Sequence, residues 1–196
     1  MSQPHWHTKT RRGPAGLWVA AMFCTFPAQA DRLDLDLNDD AARLTYVHPF
    51  EARRTQVEGS WLHHQDRGDV IAAGFQITGN AASQERPVNA GLGARLVYAD
   101  ADGVNASGSA VAVGGFFDAK IPQYDRFGIG GHLYFAPDVL AFGDATEFFD
   151  FSVHGSYSVL RQGDVYVGLR NVRADFDDNG SVTFDTGLHI GFRLSF

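Results

Sequence analysis

The sequence is almost without cysteine, since Cys24 is the only one in 196 residues. Cys24 lies in an apolar segment near the N-terminus, so the rest of the chain can form no intramolecular disulfide, thiolate metal site or thiol nucleophile. The chain also lacks any run of 18 or more consecutive apolar residues, which excludes a transmembrane helix on the usual length criterion. No segment keeps a 3.6-residue hydrophobic period, so the pattern does not favour helices.

Basic residues are scarce as well: 16 Lys and Arg face 23 Asp and Glu, for a formal net charge of -7. Phosphate backbones are bound by clustered Lys and Arg, and because the chain has no such cluster we expect no nucleic-acid partner. Glycine is plentiful, with 22 residues, many of them inside strand-like segments. Glycine weakens an ordinary strand, so its abundance indicates tight curvature or crowded backbones, as inside a small barrel.

The first 30 residues have the order of a secretory signal peptide. A basic segment is followed by an apolar run at 16–26 and by the small-x-small sequence Ala-Gln-Ala at 28–30. That order predicts export and cleavage after Ala30, with a mature chain that starts at Asp31. An uncleaved anchor helix is the alternative, but the apolar run is too short to span a bilayer.

The last stretch of the chain, 183–196, alternates between an apolar and a polar face. Its apolar positions are Phe184, Thr186, Leu188, Ile190, Phe192, Leu194 and Phe196. A strand sends successive side chains to opposite faces, and about ten residues tilted by about 45° cross a bilayer's hydrocarbon layer. Length, alternation and the terminal aromatic are typical of the closing strand of an outer-membrane β-barrel. The C-terminal Phe196 is therefore predicted to be a signal for the outer-membrane barrel assembly machinery.

Period two recurs along the whole mature chain, 31–196. The alternating segments are 31–38, 44–49, 57–63, 71–78, 89–98, 110–117, 127–135, 149–159, 165–170 and 183–196. Their second face carries Gly, Ala, Ser, His and a few charges rather than the Lys and Glu of a solvent face, which suits a narrow closed lumen. We predict an all-β, antiparallel transmembrane barrel of about ten strands, without helices, with both termini in the periplasm. Eight strands plus a non-spanning N-terminal hairpin is the alternative.

Three segments carry a resemblance to a known family. They are YFAPDVLAFGD at 134–144, VYVGLRNVRADFDD at 165–178 and GFRLSF at 191–196. With these segments the chain resembles the YfaZ family of outer-membrane proteins, most closely from about residue 90 onward. The resemblance implies an outer-membrane barrel of poorly defined role and supplies no catalytic residue.

Eight polar residues on the second face are predicted to line the lumen as a network: Arg95, His132, Asp150, His154, Arg170, Asp185, His189 and Arg193. An isolated ion in a low-dielectric lumen is costly, so we expect the three arginines to pair, with Asp150 and Asp185 as candidate partners. Paired, they would plug the barrel, and hydrated they would line a narrow anion-preferring pore. We favour the plug because ten or fewer strands leave little lumen.

The resulting prediction is a small, monomeric outer-membrane barrel in contact with lipid and lipopolysaccharide, with a structural or surface role or a narrow small-solute passage. A lipid A-modifying enzyme is an alternative, because His132, His154 and Ser152 share the inner face and such enzymes use Ser, His and acidic residues. A soluble periplasmic ligand-binding barrel is another. No cofactor is expected, and the histidines lack the close same-strand spacing of a metal site.

Overall fold

The computed structural model describes residues 31–80, 88–102, 106–177 and 180–196. The segment 1–30, with the predicted signal peptide and Cys24, lies outside the described residues. None of the described residues forms a helix long and apolar enough to cross a membrane.

Eleven strands make up the described chain. They are β1 (Arg32–Leu37), β2 (Ala41–Phe50), β3 (Thr55–His64), β4 (Gly68–Asn80), β5 (Val88–Ala101), β6 (Ala106–Ile121), β7 (Tyr124–Ala136), β8 (Ala141–Gly143), β9 (Ala145–Leu160), β10 (Gly163–Phe176) and β11 (Gly180–Ser195). Two single 3-10 turns, Glu51–Arg53 and Asp138–Leu140, interrupt the connections after β2 and β7. The expectation of a chain without any helix was wrong at these two turns.

The sheet closes on itself as an antiparallel barrel of ten strands. Every strand of the ring pairs with its neighbour, and β1 pairs with β11 through Arg32 and Ser195 to close it. The three-residue β8 lies outside the ring and, among the described strands, pairs with β6 alone. The ten-strand prediction is confirmed. The eight-strand alternative was wrong, because the six-residue β1 and the ten-residue β2 each carry ladders on both sides. Sequence alternation did not reveal β8, which is too short to show a period.

The predicted two-faced pattern is present in the wall. Outward apolar side chains are well exposed, for example Phe75 at 53%, Leu92 at 74% and Leu188 at 70%. Inner-face neighbours such as Gln76 beside Phe75 and His189 beside Leu188 are buried, with Gln76 at 0% exposure. The barrel therefore has an apolar belt outside and a packed interior, the arrangement that a hydrocarbon surround requires.

Phe184 departs from the prediction for the closing strand. We expected its ring on the lipid face, but Phe184 is fully buried, and so is its chain neighbour Asp185 at 2% exposure. The register explains this, because Val172 opposes Asp185 while Arg173 opposes Thr183, so Phe184 is an extra residue. A β-bulge of this kind shifts the phase of the alternation by one residue.

The two ends of the barrel differ in what they carry. The terminal end, named for the C-terminal Phe196, holds Asp31, Phe196 and the connections that follow β2, β4, β6 and β9. The loop end holds the connections that follow β1, β3, β5, β7 and β10. Inside, the half of the lumen next to the loop end is filled by an apolar cluster of alanines and aromatics that includes Tyr134, Phe148, Phe176 and Phe184. The middle and the terminal half hold the charged residues.

Candidate functional site

The Asp150 carboxylate is the centre of a charged hub in the middle of the lumen. It accepts two hydrogen bonds from Arg43, at 3.1 and 2.7 Å, and one from Arg95 at 2.9 Å. The Nε2 atom of His132 lies 3.0 Å from the other side of the carboxylate, at Oδ1. Asp150, Arg43 and Arg95 are only 2%, 6% and 4% exposed. Charge-assisted hydrogen bonds at such burial are strong, and breaking one leaves a costly unpaired ion.

The hub reaches across the lumen rather than along one wall. Arg43 lies on β2, Arg95 on β5 and Asp150 on β9, which are three, three and four positions apart around the ten-strand ring. Three spokes so spaced meet near the barrel axis. The Arg43–Asp150–Arg95 hub therefore ties three separate parts of the wall together at one depth.

One more carboxylate and a set of uncharged polar groups adjoin the hub. Arg95 also pairs with Glu58, and its guanidinium carbon lies 3.6 Å from the centre of the Tyr134 ring. Gln76 donates a hydrogen bond to the Tyr134 hydroxyl at 3.0 Å and accepts one from Gln56 at 2.7 Å. Because β4 and β7 lie on different sides of the ring, the Gln76–Tyr134 bond is a second connection across the lumen.

A second charged cluster joins the wall at β1, β10 and β11. Arg170 and Asp185 form an ion pair at 3% and 2% exposure, and Asn38 donates to the same Asp185 carboxylate. Arg170 also lies 3.8 Å from the carboxylate of Asp36, and His189 Nε2 lies 3.6 Å from it. This cluster secures the six-residue strand β1 to the longer strand β11.

A third cluster lies toward the terminal end, around Arg193. Its guanidinium donates to Asp34 at 2.9 and 3.2 Å and to Asp118 at 3.1 Å. Arg32 donates to Asp118 at 3.3 Å, and His154 Nε2 lies 3.7 Å from that carboxylate. Since Asp118 lies on β6 and Arg193 on β11, this cluster also crosses the lumen.

All eight residues singled out from the sequence point into the lumen, but they lie in three clusters. Two of the three arginines pair with the candidate aspartates, Arg95 with Asp150 and Arg170 with Asp185. Arg193 instead binds aspartates that the sequence analysis did not select. The residues missed are Arg43, Glu58, Asp34, Asp36 and Asp118. The alternation of Asp34 and Asp36 with leucines in β1 was a usable signal, because it places both carboxylates on the inner face.

Little space is left between these clusters. The polar cavity that they line holds about 60 Å³, room for a few water molecules. Ser152 and His132 face each other across the β7–β9 ladder, yet no hydrogen bond joins a serine to His132 or His154 in the described part of the chain. Nor do the described residues include three His, Asp or Glu side chains placed to hold a metal ion.

At the terminal end, Asp31 and Phe196 close the ring. The backbones of Asp31 and Phe196 exchange two hydrogen bonds, at 2.8 and 2.9 Å, while the Phe196 side chain is 61% exposed. The Asp31 carboxylate accepts a hydrogen bond from the Tyr46 hydroxyl at 2.8 Å and lies 2.6 Å from His48 Nδ1. The first mature residue predicted from the sequence is therefore held on the barrel wall.

The family described as YfaZ precursor matches residues 15–196. "Outer membrane protein YfaZ" of Escherichia coli (strain K12) is 27% identical over 141 residues, which cover 71% of this chain and 74% of that protein. Among solved structures, a KdgM porin aligns with a TM-score of 0.43 at 13% identity, over 86% of this chain and 99% of the porin. The outer-membrane channel DcaP of Acinetobacter baumannii aligns at 0.28 and 12% identity, over 80% and 62%. Both TM-scores are too low to support an argument, but the match over nearly the whole sequence is decisive: the chain belongs to the YfaZ family and is an outer-membrane protein.

Proposed function

We propose that this protein is a closed outer-membrane barrel that conducts no solutes and acts through its outer surfaces. The observation that carries the proposal is the hub, in which Asp150 joins Arg43 and Arg95 from three separate parts of the wall. A solute crossing this depth would have to separate two buried ion pairs. Breaking a buried pair costs about 3–5 kcal/mol, because it leaves an uncompensated charge.

The apolar cluster near the loop end supports the same proposal. The rings of Tyr134 and Phe184 are fully buried there, and Phe148 is 3% exposed. A hydrated ion or polar solute would exchange its water for mainly apolar side chains in this layer, so entering it carries much of the desolvation cost of a buried polar group. Two different barriers thus lie in series along the axis.

We infer that the terminal end faces the periplasm. An exported chain that begins at Asp31 starts on that side, and an even number of strands returns the C-terminus there. In this orientation the exposed Phe196 ring lies where the assembly machinery binds the chain, and the loop end contacts lipopolysaccharide. We also infer a monomer, with its apolar belt in contact with lipid. Light scattering in detergent tests the monomer, and a Phe196 deletion that still inserts at the normal level would contradict the assembly role.

Planar-bilayer recording tests the closed lumen. We expect no unitary conductance steps from the folded wild-type protein. A matched variant removes side chains from both barriers: Arg95→Ser and Asp150→Ser in the hub, with Phe148→Ser and Phe184→Ser in the apolar cluster. When its gel mobility before and after boiling shows that it is folded, this variant should conduct. Steps from the wild-type protein comparable to those of this variant would contradict the proposal.

A further inference from the structure

A lateral groove of about 1,110 Å³ lies on the outside of the barrel, across β4, β5, β6, β7 and β9. The large outward side chains that border it are apolar: Ile77, Leu92, Phe117, Leu133, Phe151 and Val153. Inner-face residues such as Thr78, His132 and Ser152 also adjoin it. The large outward side chains belong to the apolar belt that faces the membrane. The groove is therefore continuous with the lipid-facing surface of the barrel.

The groove follows two adjacent rows of directly opposed residues. The first row runs through Ile77, Leu92, Gly115, Leu133 and Phe151. The second row runs through Gly79, Ala90, Phe117, Gly131 and Val153. In the first row Gly115 lies between Leu92 and Leu133, and in the second row Gly131 lies between Phe117 and Val153. The groove therefore has apolar borders and bare backbone at these two glycines.

The floor is concave, as the surroundings of its glycines show. A Cβ atom on Gly115 would lie 2.5 Å from the Gly91 carbonyl oxygen, and one on Gly131 would lie 2.5 Å from the Ser152 carbonyl oxygen. Outward glycines elsewhere differ, because a Cβ atom on Gly59 or Gly155 would meet nothing within 4 Å. The wall thus folds toward the lumen between β5 and β9, whereas the outer surface is open at Gly59 and Gly155.

The groove runs obliquely from the terminal end toward the middle of the membrane. Gly79 lies next to the last residue of β4, whereas Val153 lies seven residues from the terminal end of β9. Four inter-strand spacings of about 4.8 Å give the groove a length of about 19 Å. At a tilt near 45°, this length descends through most of one leaflet, whose hydrocarbon layer is about 15 Å thick.

An exposed cation lies at the terminal end of the groove. Arg54, in the connection before β3, borders the groove and accepts a hydrogen bond from the Thr78 backbone at 2.8 Å. No hydrogen bond or ion pair to its guanidinium is formed by any residue that the structure describes. A guanidinium at this level is suited to bidentate binding of a phosphate.

We propose that the lateral groove binds an acyl chain of a phospholipid whose phosphate contacts Arg54. The proposal rests on the inferred orientation, which puts the terminal end and Arg54 at the phospholipid headgroups of the periplasmic leaflet. The acyl chain fits a long groove bordered on the membrane side by large apolar side chains, and the headgroup fits the cation at its open end. The lipid is thus held as a specific ligand rather than as one of the exchanging lipids around the barrel.

Native mass spectrometry of the detergent-extracted protein tests this with a matched pair of variants. Gly79 and Gly59 both face outward with nothing within 4 Å of an added Cβ, but only Gly79 borders the groove. We expect wild-type protein and Gly59→Trp to retain a single adduct of phospholipid mass, and Gly79→Trp to lose it. Equal loss in both variants, no adduct on wild-type protein, or an adduct of lipopolysaccharide mass would overturn the proposal.

A second pair tests the headgroup without filling the groove. Arg54 has a φ of 50°, which asparagine tolerates, so Arg54→Asn keeps the backbone, and Arg53→Asn is the control on a neighbouring exposed arginine that does not border the groove. We expect Arg54→Asn alone to lose the adduct at lower collision energy, and equal behaviour of the two variants would overturn the phosphate contact. If the wild-type protein shows no conductance and carries no adduct, the lipid-binding proposal is refuted and the closed lumen stands. If it conducts and carries the adduct, the closed lumen is refuted and the lipid-binding proposal stands.

Discussion

Replacing Asp150 with asparagine should strongly destabilise the barrel while leaving its side-chain volume unchanged. The carboxylate accepts bonds from Arg43 and Arg95, and an amide would turn one of its two acceptor oxygens into a donor that faces guanidinium donors. Arg95 keeps Glu58 as a partner, but in the described chain Arg43 forms a hydrogen bond only with Asp150. Arg43 is therefore the buried cation that loses its hydrogen-bond partner, and we expect the free energy of unfolding to fall by about 3–5 kcal/mol.

Urea titration in lipid vesicles, with the folded fraction read from unboiled gel mobility, measures this loss. Glu147→Gln is the control, because Glu147 accepts a hydrogen bond from Arg173 at 3.0 Å with the two side chains 37% and 42% exposed. An exposed pair of this kind contributes about 0–1 kcal/mol, so Glu147→Gln should unfold nearly as the parent does. If Asp150→Asn lost no more than Glu147→Gln, the hub would not be the buried, charge-dependent element described above.

A double variant separates lost charge from lost packing. Adding Arg43→Met to Asp150→Asn removes the uncompensated cation, so part of the lost stability should return. If the stability lost in the double variant equalled the sum of the losses in Asp150→Asn and Arg43→Met alone, the effect of Asp150→Asn would be one of packing rather than of charge.

Three further changes test the wall. Leu188→Arg puts a charge on the lipid face near the middle of β11, where it should cost about 2–4 kcal/mol in the same titration, and an unchanged free energy would contradict its outward position. Phe184→Ala should cost about 3–5 kcal/mol, because the ring is fully buried in the apolar cluster, whereas a near-neutral result would return Phe184 to the lipid face. Gly114→Ala places a Cβ 1.9 Å from the Leu133 carbonyl oxygen and should reduce the fraction that folds, whereas Gly155→Ala meets nothing within 4 Å. Equal folded fractions for the two alanine variants on unboiled gels would contradict the close approach at Gly114.

The strand pattern could be predicted because it depends on the backbone alone. A period of two places Leu188 outside and Arg170 inside whatever the neighbouring strands are, so the number of strands and most facings follow from local sequence. The bulge at Phe184 could not be predicted in this way, since the extra residue is visible only once Val172 and Arg173 are paired with their partners on β11.

The pairing inside the lumen depends on depth and on closure, and local alternation reports neither. Arg193 was expected to pair with Asp150 or Asp185, yet its partners are Asp34 and Asp118, which lie at its own level near the terminal end. Two inner residues on distant strands meet only if tilt and stagger bring them to the same height. The sequence therefore indicated that these ions point inward, but the choice of partner required the closed barrel.

The closed lumen and the lateral groove are consequences of the same local shape of the wall. Gly93 and Gly114 oppose each other on β5 and β6, and inward Cβ atoms on them would lie 2.1 Å from the Phe75 carbonyl oxygen and 1.9 Å from that of Leu133. The wall is thus sharply folded at the β4–β5 and β6–β7 boundaries, while Gly115 permits the opposite curvature on the outside between β5 and β6. This inward fold of the wall brings backbone toward the barrel axis, so fewer large side chains are needed to fill the lumen. On the membrane side the same fold forms the lateral groove. A substitution that removes this inward fold should therefore alter both the packing of the lumen and the lateral groove. Folded Gly114→Ala protein should therefore lose the phospholipid adduct, although Gly114 faces the lumen. Retention of the adduct would show that the lateral groove does not depend on the inward fold of the wall.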